Sequence, residues 1–356
     1  MPRPIRARVS RAAIANNLAV ARACAPRAKV WAVVKANAYG HGLERVLPAL
    51  LDADGLALLD LMEAERARAA GYRLPILLLE GFFDESDLVL VDQLRLTTAI
   101  HSYGQLAMLE NAALTAPVDV YLKLNSGMNR LGFDASDAKG VYQKLRSLKN
   151  VSGITVMTHF ANADIADGAK DAVARFTHAV EGLPGPNSLS NSAAVLLHPE
   201  AQGDWIRPGI MLYGASPTDT RDAESFGLIP AMTLESELIA VQEIEAGQSV
   251  GYGGRFVAKR NTRIGVVACG YADGYPRIAA DGCPVLVGNT IVALSGRVSM
   301  DMLTVDITDV PDAAIGSAVE LWGTRVSVDQ VAAFANTSGY ELLCALAPRV
   351  PIIGVA

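Results

Sequence analysis

Eight short apolar runs of β character, separated by stretches with helical spacing, occupy residues 11–226 and constrain this chain more than any other feature. The runs fall at 30–35, 55–59, 76–80, 95–100, 118–124, 153–159, 187–190 and 209–213, and helical patterns cover 11–24, 41–51, 61–70, 105–114, 135–148 and 170–180. Strands that alternate with helices pair in parallel, because each helix carries the chain back to the start of the next strand. Eight such units within about 215 residues predict an α/β fold built as a (β/α)8 TIM-like barrel. Periodicity alone also admits a doubly wound sheet, since no helical pattern marks the eighth crossover.

Beyond Phe226 the rhythm changes. Short β runs at 233–241, 263–268, 285–287, 290–294, 303–307 and 318–321 are set apart by Gly, Asp and Pro turns, the pattern of a mainly antiparallel β domain, and a helix is predicted over 328–335. The chain is therefore expected to divide into a barrel over 11–226 and a C-terminal β domain over 227–356. A length of 356 residues, too great for one ordinary core, agrees with two domains. An apolar fraction of 51% with 19% charged residues describes a compact chain and excludes disorder. The net charge of −6 disfavours nucleic acid or an anionic membrane as partner. Apolar runs such as Ile76-Leu77-Leu78-Leu79 are far too short to span a bilayer. The opening residues, Met1-Pro2-Arg3-Pro4-Ile5-Arg6, lack the apolar stretch of a signal peptide, so a cytoplasmic location is expected. Cys24, Cys269, Cys283 and Cys344 show neither metal-ligand nor disulfide-framework spacing, and no metal is expected.

In a barrel of this kind chemistry belongs to the C-terminal strand ends, and several of these carry polar residues that a plain core would reject. Lys35 closes the first run in Val33-Val34-Lys35-Ala36-Asn37-Ala38-Tyr39-Gly40-His41-Gly42. Apolar surroundings disfavour its ammonium form and free the amine as nucleophile or base, although a lysine can also snorkel from a strand end. The fifth run ends in Lys123-Leu124-Asn125-Ser126-Gly127-Met128-Asn129-Arg130-Leu131-Gly132, where Arg130 offers a rigid fork for a carboxylate or phenolate, or is one of two solvated cations beside a turn. The sixth ends in Met157-Thr158-His159-Phe160-Ala161-Asn162-Ala163-Asp164. Ser190-Asn191-Ser192-Ala193-Ala194 opens a helix with hydroxyls and free N–H groups, which suit an anion as well as an ordinary N-cap.

These segments, with Asp204-Trp205-Ile206-Arg207-Pro208-Gly209-Ile210-Met211-Leu212-Tyr213-Gly214, closely resemble the signature motifs of the alanine racemases. The resemblance implies a barrel followed by a β domain with which residues 1–10 pack. It also implies pyridoxal 5′-phosphate (PLP) as cofactor, carried on Lys35 as a Schiff base. Tyr39, Ser192, Gly209 and Ile210 would hold its phosphate beside Asn191, and His159 would lie against its ring. Arg130 would sit near the substrate carboxylate, with Lys123 available for carbamylation; Asn125 stands where aspartate is commoner. Arg207 would face the pyridine nitrogen. Arginine donates but does not accept, so that nitrogen stays unprotonated and is a weaker electron sink, which favours return of the proton to Cα over side chemistry.

Racemisation calls for a second base opposite the lysine. Ser249-Val250-Gly251-Tyr252-Gly253-Gly254 is similar to the family element whose tyrosine is that base, although a tyrosine among glycines is also an ordinary turn residue. By the same resemblance Lys35 serves the D face and Tyr252 the L face, with nearby positive charge needed to make the phenol useful at neutrality. Val267-Ala268-Cys269-Gly270-Tyr271-Ala272-Asp273-Gly274-Tyr275-Pro276-Arg277 would place Tyr271 at the way in for substrate. Gly296-Arg297-Val298-Ser299-Met300-Asp301-Met302 would bring the Met300 N–H to the substrate carboxylate, with Asp301 close by. The resemblance implies a homodimer with composite sites, these C-terminal residues reaching the other chain's barrel. Pro348 replaces a tyrosine of many relatives and is expected to loosen selectivity for a methyl side chain. The expected activity is interconversion of L- and D-alanine, supplying D-alanine for peptidoglycan or serving alanine catabolism. A broad-specificity amino-acid racemase, a barrel-type PLP decarboxylase and a non-catalytic PLP carrier are the alternatives.

Overall fold

The computed structural model describes residues 3–355. Eight parallel strands close into a barrel: β2 (Lys29–Val33), β3 (Gly55–Leu58), β4 (Ile76–Leu78), β5 (Thr97–Ile100), β6 (Val118–Lys123), β7 (Val151–Met157), β8 (Asn187–Ser188) and β9 (Trp205–Ile206). β9 returns to β2 in register, Lys29 opposite Trp205 and Val30 opposite Ile206, which completes the ring and excludes the doubly wound alternative. β3, β4 and β5 are wholly buried, as parallel strands covered on both faces are.

Two readings of the chain are corrected here. The run at 209–213 is not the eighth strand but a 3-10 helix, Ile210–Tyr213, and β9 ends before it. Pro208 has no N–H to extend the ladder, and its carbonyl instead accepts the Val33 N–H at 3.0 Å. A short buried apolar run has no periodicity that separates strand from helix. The 41–51 helix is likewise broken, into an α-turn at Leu43–Val46 and a 3-10 turn at Leu47–Leu50 that contains Pro48. The helix missing from the eighth crossover is supplied from the other end of the sequence. Arg11–Cys24 packs on Ile210–Tyr213, and the buried Asn17 side chain ties it down by accepting from the Ile229 N–H (2.8 Å) and donating to the Leu212 and Ile229 carbonyls (3.1 and 2.8 Å).

The second unit is an eight-stranded sheet. β1 (Arg6–Ser10) lies between β10 (Met232–Ile244), antiparallel, and β18 (Ile352–Val355), parallel. β13 (Thr262–Val267), β14 (Pro284–Val287), β15 (Thr290–Leu294), β16 (Leu303–Asp306) and β17 (Ala318–Trp322) complete the sheet in antiparallel fashion, and β11 (Ser249–Val250) pairs with β12 (Phe256–Val257) beside it. The first and last described strands thus bind the two ends of the chain into one sheet. Among the described residues no helix is long and apolar enough to cross a membrane, and no group of His, Cys, Asp or Glu is arranged to hold a metal.

Candidate active site

One cavity at the C-terminal mouth of the barrel gathers Lys35, Tyr39, Lys123, Arg130, His159, Asn191, Ser192, Arg207, Gly209 and Ile210, all the barrel residues singled out from the sequence. Each comes from a strand end or the loop after it, so the sheet register fixes their spacing.

Lys35 stands two residues past β2, where the backbone does something unusual. Residues 36–39 all have φ between 50° and 55°, a complete left-handed turn made without glycine. Each such residue costs roughly 1–2 kcal/mol relative to a right-handed turn. The turn is closed by Ala38 N–H to the Val34 carbonyl (2.8 Å) and Gly40 N–H to the Ala36 carbonyl (3.0 Å), and Tyr39 stacks on Tyr213 with ring centroids 4.7 Å apart. Gly40 is required: a side chain there would meet the Leu343 carbonyl oxygen at 2.1 Å.

The charge is strongly one-sided. Lys35, Lys123, Arg130 and Arg207 share the cavity with a single carboxylate, Glu80. Burial, and then the Arg130 charge, holds the Lys35 amine below the usual lysine range. Burial, then Arg207 and Arg130, brings Lys123 down to about 8. His159 lies well below the normal imidazole range, first through burial and then through Arg207 and Arg130, so its ring is neutral. Arg207, 4% exposed, is lowered by burial to about 10 and remains a cation at neutral pH. Its Nη1 donates to Ser188 Oγ (2.6 Å), and its Nη2 donates to the carbonyls of Thr158 (2.6 Å) and Leu189 (3.1 Å) and approaches His159 Nδ1 (3.4 Å). All four contacts use the terminal nitrogens.

Another part of the cavity lining forms a cradle. Ser192 Oγ accepts from the Gly209 N–H (2.8 Å) and Met211 N–H (3.4 Å), and Asn191 caps the helix Ser192–Leu197 by accepting from Ala194 N–H (3.0 Å). A side-chain carbon on Gly209 would stand 2.5 Å from the Tyr39 hydroxyl, so the gap exists only because residue 209 is glycine. Asn125 serves as a neutral turn acceptor for the N–H groups of Gly127 and Asn129 (both 3.0 Å), work that needs no aspartate charge.

The C-terminal candidates are elsewhere. Tyr252, Met300 and Tyr271 are outside this cavity and are 70%, 52% and 38% exposed. They belong to adjoining loops: Tyr271 N–H donates to the Ser299 carbonyl and Ala272 N–H to that of Met300 (both 3.0 Å), while Arg255 Nη2 donates to the Gly296 carbonyl (2.8 Å). Asp301 is occupied by Arg349 (2.7 Å), which also reaches the fully buried Asp273.

Three residues of this region escaped the sequence reading. Glu80 is the cavity's carboxylate. Tyr340, carried on a short helix (Gly339–Cys344), lines the cavity with its ring 6.1 Å from that of Tyr39. Pro348 is not among the cavity-lining residues. Glu63 lies behind the lysine turn. A lone acidic residue inside a helical pattern carries no sequence signal for such a role.

A (β/α)8 barrel with a half-buried, cation-flanked lysine at its mouth, followed by a β domain, defines a class of lysine-dependent barrel enzyme. Comparison with known proteins narrows the class. Residues 9–217 match the family model "Alanine racemase, N-terminal domain", and residues 231–353 match "Alanine racemase, C-terminal domain". An alanine racemase of Burkholderia mallei is 56% identical over 353 residues, 99% of both chains, and a catabolic alanine racemase of Salmonella typhimurium is 55% identical over 354 residues, also 99% of both. The crystal structure of the biosynthetic alanine racemase from Pseudomonas aeruginosa superposes with a TM-score of 0.97 at 47% identity, covering 99% of this chain and 100% of that one. This chain belongs to the alanine racemase family, a family of isomerases.

Proposed function

We propose that this chain interconverts L- and D-alanine in the cytoplasm, with PLP held on Lys35 and with Tyr252 of the partner subunit as the second base in a homodimer of composite sites. Similarity along the whole chain to alanine racemases supports the reaction. The observation that carries the cofactor assignment is a half-buried Lys35 that lines one cationic cavity together with an anion cradle. The residues fit the group. Tyr39, Ser192, Gly209 and Ile210 would hold the phosphate, with Asn191 anchoring their loop. His159 and Arg207 would flank the ring. When bound, PLP draws electrons from the substrate Cα and so acidifies its proton.

This chain's own residues do the rest. Lys35, its amine held below the usual lysine range, takes or returns the Cα proton on the D face, and Tyr252 does so on the L face. Arg207 has only N–H groups to offer and would hold a facing ring nitrogen unprotonated, which would favour proton return over side chemistry. Arg130 and the Met300 N–H hold the substrate carboxylate, while Tyr271 and Asp301 line the approach. The neutral form of Lys123 can take up carbon dioxide as a carbamate with loss of one proton, which puts an anion beside Arg130. In this reading residues 11–226 hold the cofactor, and 227–356 with residues 1–10 bring the second base. The free thiols of Cys24, Cys269, Cys283 and Cys344 suit a reducing compartment.

Chiral analysis of products from a panel of L-amino acids tests the assignment. Conversion of L-alanine to racemate well ahead of serine and lysine is expected, since Tyr39 and Tyr340 crowd the cavity. Comparable rates on all three would establish the broad-specificity alternative, and carbon dioxide release would overturn racemisation.

A further inference from the structure

The left-handed turn at residues 36–39 is unfavourable for every residue in it, yet it sets the direction in which Lys35 leaves the barrel. Something must hold it. The cradle and Tyr213 hold its far end, at Tyr39, but the near end, beside the lysine, is held from behind the cavity. The Glu63 carboxylate, on the helix Leu61–Ala69 that follows β3, accepts the Asn37 backbone N–H. The Asn37 side-chain oxygen is fixed in turn by the Leu43 N–H (3.1 Å) and by Arg66 Nη2 (2.8 Å), and Arg66 is itself forked onto Glu44 through two bonds of 2.7 Å.

Glu63 is an expensive residue to place there. It is 8% exposed, and its second oxygen has no hydrogen-bond partner. Burying a carboxylate half-satisfied disfavours the folded chain unless the group does something that an apolar side chain cannot. Burial accordingly pushes its pKa up, against the Asn37 N–H, which lowers it. It does not line the cavity and cannot touch substrate or cofactor.

We propose that Glu63 is a positioning residue for Lys35: by clamping the Asn37 N–H it holds the left-handed turn that aims the lysine amine into the barrel mouth. The inference rests on the reading of Lys35 as the cofactor-bearing base. A clamp of this kind acts on geometry, so its removal misdirects the amine without emptying the site. An error of about 1 Å in a reacting group costs about 10²-fold in rate.

The test uses the PLP-loaded protein and three variants. Glu63→Met keeps the length but has no strong acceptor. Its kcat is expected to fall about 10²-fold with KM little changed, and the visible circular dichroism of the lysine-bound cofactor should change while the far-ultraviolet spectrum stays native. Glu63→Gln keeps one acceptor oxygen and should be intermediate in both readouts. Ala36 is exposed, so Ala36→Gly opens no void, and glycine adopts the left-handed conformation freely. Adding Ala36→Gly to Glu63→Met should therefore restore part of the kcat and of the dichroism, which loss of general packing would not allow. Folded Glu63→Met with parental kcat and dichroism overturns the proposal. If Glu63→Met does not fold, Glu63→Gln decides: intermediate values support the clamp and parental values overturn it. Should Lys35→Ala retain its cofactor chromophore and turnover, the reading of Lys35 fails first, and the two failures are thereby distinguished.

Discussion

The barrel mouth and the C-terminal loops both carry residues suited to acid–base chemistry, and the two regions are built in opposite ways. At the mouth most groups are buried or half-buried, the exposed Arg130 apart, and several are braced: Arg207 has three donated bonds, Ser192 locks the Gly209 loop, and a strained turn presents Lys35. On the C-terminal side Tyr252 is 70% exposed and sits in a turn containing Gly253 and Gly254. Preorganised charge is worth most where water is excluded. Tyr252 has no such environment within its own chain, whereas Lys35 already has one. The contrast teaches that a single chain holds a finished half-site and an unfinished one, and it is the structural ground for proposing that a second copy brings them together.

The largest expected effect lies in the finished half. Lys35→Ala should lower racemisation by about 10⁴-fold or more and abolish the visible absorbance of lysine-bound PLP, read from kinetics and an absorption spectrum. Retention of that absorbance would move the cofactor to another amine, such as Lys123, the other lysine lining the cavity.

The unfinished half should respond differently. Tyr252→Phe is expected to keep the chromophore and to lose about 10²–10⁴-fold in racemisation. The Cα hydrogen of D-alanine should still exchange with heavy water through Lys35, without inversion. Nuclear magnetic resonance follows both exchange and chirality, and an unchanged racemisation rate would remove Tyr252 from the mechanism.

A smaller effect sharpens the electrostatics of the mouth. A neighbouring cation disfavours the ammonium form of Lys35 and a neighbouring carboxylate favours it. Arg130→Met should therefore raise the Lys35 pKa and Glu80→Gln should lower it, the directions in which those neighbours now act being the reverse. The pH dependence of reductive methylation of Lys35 in the cofactor-free protein, read by peptide mass spectrometry, should move to higher pH in the first variant and to lower pH in the second. Shifts of the opposite sign would show that the two side chains do not act on the lysine through their charge.

Most of the mouth was legible in the sequence because its residues sit at strand ends in motifs, and alternation of strand and helix tells where strand ends converge. Three features were not legible, for separate reasons. The 209–213 run read as a strand because a buried 3-10 turn and a buried strand share an apolar composition, and only the pairing of Trp205 with Lys29 decides between them. The left-handed turn at 36–39 has no glycine or paired Asn-Gly to announce it; tertiary contacts from Glu63, Tyr213 and Leu343 impose it. Tyr340 was visible as a residue but not as a wall, because its place depends on how the β domain docks above the barrel. Local preference cannot report such long-range closures.

The central claim, that each site takes its lysine from one chain and its tyrosine from another, is tested most directly by mixing two inactive proteins. Lys35→Ala and Tyr252→Phe chains, unfolded together and refolded as a mixture, give mixed dimers in which one site carries both substitutions and the other carries neither. With random pairing, half the dimers are mixed and each has one intact site, so the mixture should recover about a quarter of the parental racemase activity. A mixture that forms mixed dimers yet stays as inactive as its two components would contradict the composite site and return both bases to a single chain.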